Sequence, residues 1–139
     1  MIRIQNYLKE NPREINNTEL SLLEIGINYY HLISLLWNPS NKTYTKEFLI
    51  WKTREILEIL VSLMIKQNLD VTMLNERMIT AIEAFTSIES EMDIYELIGV
   101  EIDNHPNNNY ALSLDMKMAA LFKLLDFKGI TIEQIFEKY

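Results

Sequence analysis

The sequence predicts an all-α protein, a helical bundle of five or six helices in one domain spanning residues 1–139, and three observations carry that prediction. Apolar residues recur at intervals of three and four through most of the chain, the spacing that lines one face of a helix. Only three glycines and three prolines interrupt 139 residues, too few turn formers for a sandwich or a series of hairpins. The absence of cysteine excludes a disulfide scaffold, a thiol nucleophile and a zinc finger. With 48% hydrophobic residues the chain has the apolar mass for a buried core, and neither a repeat nor a low-complexity linker divides it.

Each element has its own signals. Residues 2–10 make a short amphipathic helix through Ile4, Tyr7 and Leu8, stopped by Asn11-Pro12 because proline disfavours helical backbone in the residue before it. Thr18 offers a side-chain oxygen to the first amides of a helix from about Glu19 to Trp37, which Asn38-Pro39-Ser40-Asn41 ends. Its apolar arc (Leu22, Ile25, Tyr29, Leu32, Ile33, Leu36) is wide. Its polar stripe (Ser21, Glu24, Asn28, His31, Ser34) is narrow and broken by Ile27 and Leu35, so this helix is expected near the centre of the bundle.

Thr45 caps the next helix, which runs to about Gln67. Phe48, Leu49, Ile56, Leu60 and Leu63 form its packing face, with Glu47, Trp51, Arg54, Glu55, Glu58 and Ser62 on the other side. Thr72 begins a helix toward Glu89 through Met73, Ile79, Ile82 and Phe85, and residues 93–100 add one or two turns. The run His105-Pro106-Asn107-Asn108-Asn109 reads as a loop. After it, a helix from about Ala111 to Phe127 presents Leu114, Met118, Leu121, Phe122 and Leu125. Gly129 supplies its left-handed cap. Thr131 and Gln134 make a capping box for a last short helix through Ile132, Ile135 and Phe136.

Thirteen basic and twenty acidic residues give a formal charge of −7, which argues against direct nucleic-acid binding, where clustered Lys and Arg must meet the phosphates. The imbalance is local. Residues 70–103 hold nine acids (Asp70, Glu76, Glu83, Glu89, Glu91, Asp93, Glu96, Glu101, Asp103) against Arg77, a formal −8 that leaves the remainder at +1. Such a run is either a solvated face or an acidic surface for a basic partner. The N-terminus lacks the apolar core and small-residue cleavage site of a secretion signal, and no 18-residue stretch is free of polar groups. The chain therefore reads as cytoplasmic and soluble, with no membrane partner.

Candidate chemistry is confined to helix faces. Gly26, Gly99 and Gly129 stand alone, so there is no glycine-rich phosphate loop, and neither His31 nor His105 lies in a triad motif. Glu55 and Glu58, three residues apart, share one helix face, where two carboxylates can hold a hard divalent cation. Glu24 lies on the preceding helix, and the short connection makes the two helices antiparallel neighbours, so three acids can converge. Clustered carboxylates repel, and at a core they are tolerated only with a cation or with Lys, Arg or His partners. Lys52 and Arg54 are close at hand for the competing reading, a plain exposed face.

In these residues the chain resembles the all-α nucleoside triphosphate pyrophosphohydrolases, the superfamily of MazG and the dimeric dUTPases. Leu22-Leu23-Glu24-Ile25-Gly26-Ile27-Asn28 falls on the first acidic motif of that family and Glu55-Ile56-Leu57-Glu58 on the second, while residues 120–139 are similar to its closing helix pair. Ile27 stands where the family has a second glutamate, leaving Asn28 as a neutral oxygen ligand, and Glu58 stands where aspartate is usual. The resemblance implies that Glu24, Glu55 and Glu58, as catalytic carboxylates, hold Mg2+ together with Asn28. The ion would polarise the α-phosphate of a nucleoside triphosphate and help activate a water. It also implies Trp37 or Trp51 stacked on a base, burial in the core being the other reading, Lys42 near phosphate, and a homodimer joined by apolar helix faces.

The alternative is a non-enzymatic acidic helical binding protein, of the immunity or phage-type inhibitor kind, that engages a basic protein partner through residues 70–103 and needs no catalytic residue. A plain subunit of a larger helical assembly is a third reading. Many Ile and Asn beside five Ala point to an A/T-rich bacterial or phage genome.

Overall fold

The structure, a computed structural model, describes residues 1–15, 17–37, 44–103 and 110–139, and all regular structure among them is α-helical. The helices are α1 (Ile2–Glu10), α2 (Thr18–Trp37), α3 (Lys46–Lys66), α4 (Val71–Phe85), α5 (Glu91–Asp103), α6 (Tyr110–Phe127) and α7 (Ile132–Phe136). The described residues thus hold seven helices where five or six were expected. Two short segments account for the difference: α1 buries Ile4 and Leu8, and α5 buries Ile94 and Ile98, each pair one turn apart. The expected loops at 38–41 and 105–109 lie outside the described residues.

The helices fall into two compact units, Met1–Thr72 with Ile132–Tyr139, and Met73–Thr131. In the first, α3 packs against α1, α2 and α7. Gln67 reaches Thr18 (3.3 Å) and Lys52 reaches Asn28 (2.9 Å), so α2 and α3 run antiparallel as the short connection predicts. From Ile56 to Met64 every residue of α3 except Glu58 is buried, including Ser62, whose hydroxyl has no hydrogen-bond partner and which the sequence placed on the polar side. In α2 only Ser21, Ile25, Tyr29, Leu32 and Leu36 are buried, one stripe at intervals of three and four. The central helix is therefore α3, not α2; the wide arc of α2 spends its apolar residues on two faces, one of them exposed.

The caps show why two boundaries shift by a residue. Asn17, not Thr18, caps α2, its side-chain oxygen accepting from the Leu20 amide (3.1 Å). Asp70 does the same for α4, accepting from Thr72 (2.9 Å), so that helix starts at Val71. Thr45 caps α3 as expected, accepting from Phe48 (3.2 Å). At the other end of α3, Asn68 takes the left-handed conformation (φ 54°) and the Leu69 amide bonds back to Met64 (2.9 Å). The five-residue α7 is held by its last carbonyls: Arg54 donates to Gln134 (2.8 Å) and Ile135 (2.7 Å), and Arg3 donates to Phe136 (3.0 Å).

In the second unit α4 buries Leu74, Met78, Ala81 and Phe85 at helical spacing and ends at Phe85, short of the expected Glu89. Helix α5 packs on α6, whose residues Met118–Phe122, Leu124 and Leu125 are all buried. Gly129 adopts φ 80° after α6, and the Ile130 amide bonds to Leu125 (2.9 Å), the left-handed cap the sequence predicts. Lys128 pairs with Glu91 (3.0 Å) across the start of α5.

Candidate functional site

Antiparallel packing sets Glu24 and Asn28 of α2 beside Lys52, Glu55 and Glu58 of α3. Between them comes Arg13, from the segment that joins α1 to α2. Its Nη2 donates to Glu55 Oε1 at 2.5 Å and lies 3.8 Å from Glu24 Oε1. Glu24 and Glu55 thus meet at one point, and that point is a guanidinium nitrogen. The pair is partly withdrawn from solvent, with Arg13 29% and Glu55 25% exposed, whereas Glu24 is 51% exposed.

Glu58 has separate partners. Its Oε2 accepts from the Tyr139 hydroxyl (2.5 Å) and from Lys138 Nζ (3.2 Å). The Tyr139 ring meets Tyr7 edge-on at 5.1 Å, and Lys138 Nζ stands 5.0 Å from the Tyr7 centroid, so the residues after α7 are held to α3 by the carboxylate and to α1 by the Tyr7 ring. Asn28 Oδ1 accepts from Lys52, while its amide nitrogen donates to the Glu24 carbonyl (2.9 Å). Arg54, which the sequence offers as a partner for the acids, is spent on the carbonyls of α7.

Titration follows this geometry. The hydrogen bond from Arg13, aided by the charges of Arg13, Lys52 and Lys138, holds the Glu55 carboxyl below its ordinary value despite partial burial. The same bond, with the charges of Glu55, Glu24 and Glu58, raises Arg13. Burial first, and then the bond to Glu58, pushes the Tyr139 phenol up.

Each expected ligand of the magnesium site therefore has one oxygen facing a cation or a hydroxyl of the chain. Among the described residues, no group of three or more His, Cys, Asp or Glu side chains is arranged to hold a metal ion. Arg13 is the functional residue that sequence reasoning misses; the only available signal is the rule that clustered acids at a core need a cation. Trp37 and Trp51 are 52% and 54% exposed, so neither indole is buried, and Lys42 lies outside the described residues.

A second feature is a surface. The unit Met73–Thr131 carries ten acids against four bases, a formal −6, and leaves −1 for the other unit. Glu76, Glu83, Glu89, Asp93 and Glu96 are exposed, as are Met73, Ile79 and Met92 among them. No helix among the described residues is long and apolar enough to cross a membrane.

The chain matches no protein-family model, no curated protein and no solved structure, so the resemblance to the pyrophosphohydrolases rests on its motifs alone.

Because Glu55 is depressed, its pairing contributes fully above the ordinary carboxyl value of 4.5 and is lost as pH falls through the lower folded value. Arg13→Ala is expected to cost about 1–2 kcal/mol at neutral pH by urea denaturation. The gap from wild type should close as Glu55 protonates below 4.5; a gap that persists unchanged in acid contradicts the pairing.

Proposed function

We propose that this chain is a non-enzymatic acidic helical binding protein that engages a basic partner through residues 70–103. The observation that carries the reading is the exposed face of α4, where Met73 and Ile79 alternate with Glu76 and Glu83, together with the exposed Met92, Asp93 and Glu96 of α5. Exposed apolar groups set among acids suit a protein interface: the acids steer and orient a cationic surface, and the apolar side chains supply contact area once it has docked. The carboxylates of the other reading, by contrast, already have cationic partners within the chain.

Immobilised protein is expected to capture a basic partner that elutes as salt rises, and Glu83→Lys/Glu89→Lys should weaken that partner by about tenfold or more. Binding indifferent to salt and to charge reversal contradicts the proposal.

A magnesium-dependent nucleoside triphosphate pyrophosphohydrolase is the second reading, favoured by the meeting of Glu24 and Glu55 at one cation. In it Glu24 and Glu55 would hold Mg2+ where Arg13 now stands, with Asn28 and Glu58 as further oxygen ligands, and the ion would supply Lewis acidity at the α-phosphate. A screen of standard and modified nucleoside triphosphates with Mg2+ decides it: turnover abolished by Glu55→Ala supports this reading, and no turnover removes it.

A further inference from the structure

Helix α2 carries a second apolar stripe, facing away from the one it buries. Leu20, Leu23, Ile27, Tyr30 and Trp37 are 65%, 58%, 61%, 39% and 52% exposed, and with exposed Ser34 they follow intervals of three, four, three, four and three. That is the heptad seam by which one helix packs on another of the same kind. An ordinary surface helix places polar residues there. We infer that α2 is the interface of a homodimer, in which the α2 helices of two copies pair antiparallel along this seam.

Three properties select a second copy in that orientation. The first is area: the five apolar side chains present on the order of 500 Å² per copy, so pairing removes roughly 1,000 Å², the lower bound of a specific interface before its rim is added. The second is shape. An antiparallel pairing centred between Ile27 and Tyr30 sets Leu20 against Trp37, Leu23 against Ser34 and Ile27 against Tyr30 of the other copy, so large residues meet smaller ones. Gly26, on the flank of the seam, has open space where a side chain would project; a glycine inside a helix lowers its stability, and here the gap lets a second backbone come close.

Charge is the third. The seam is flanked by Glu19 and Glu24 on its first half and by His31 on its second. Parallel pairing sets Glu19 of one copy against Glu24 of the other, acid against acid. Antiparallel pairing parts them and brings Glu24 beside His31 of the second copy. This inference is independent of the acidic surface, which lies on α4 and α5.

Sedimentation velocity is expected to give a dimer at micromolar concentrations for wild type. Leu23→Lys/Ile27→Lys should give a monomer with unchanged helical circular dichroism, since both side chains are mostly exposed. The absence of native cysteine allows one spin label at Glu19→Cys. At 1.5 Å per residue the two labels in an antiparallel dimer stand roughly 30 Å apart, against less than about 20 Å in a parallel one. A wild-type monomer at every concentration, a dimer that survives the double substitution, or the short label distance overturns the inference.

Discussion

Helix α3 is enclosed on almost every side from Ile56 to Met64, so the ionised groups it carries at the edge of that core have to be neutralised by the chain itself. The arrangement of the first unit follows from this requirement. Glu55 draws in Arg13 from the segment before α2, Glu58 draws in Lys138 and Tyr139 from beyond α7, and Arg54 turns to the unsatisfied carbonyls of α7. These bonds join residues 42 to 81 positions apart, and each ties a peripheral segment to α3. Apolar packing brings the helices together, while the polar rim of α3 decides where α7 and the residues after it are held.

The same rim bears on function. Two acids on neighbouring antiparallel helices do meet, as a metal site of the pyrophosphohydrolase kind requires, and the chain supplies its own cation at the meeting point. A guanidinium satisfies the charge with directional hydrogen bonds and keeps the pair in place. The exposed acids of α4 and α5 and the exposed outer stripe of α2 carry the binding proposals.

The helices were legible because their apolar spacing is regular and because Thr45 and Gly129 mark ends in the way such residues do. Helix periodicity and one short connection bring Glu24 near Glu55, whereas Glu58, expected at the same point, faces Lys138 and Tyr139. Three things were not legible. Asn17 and Asp70 each stand just before a threonine that can also cap, and the preference for Asn or Asp over Thr is too small to fix the boundary from local sequence. Apolar content cannot distinguish a helix surrounded by core from one with a buried and an exposed apolar face, so α2 was placed at the centre that α3 occupies. Arg13 sits in a polar linker with no motif, and only the folded chain brings it to an acid 42 residues away.

The claim on which this account turns is that Arg13 and Glu55 neutralise each other at the edge of the core. A double-mutant cycle of Arg13→Ala and Glu55→Gln, read by urea denaturation at neutral pH, tests it most directly. The account predicts a coupling of about 1 kcal/mol or more, with the double variant less destabilised than the two single losses together. Strictly additive losses would mean that the two side chains act independently and that α3 keeps its charges by some other means.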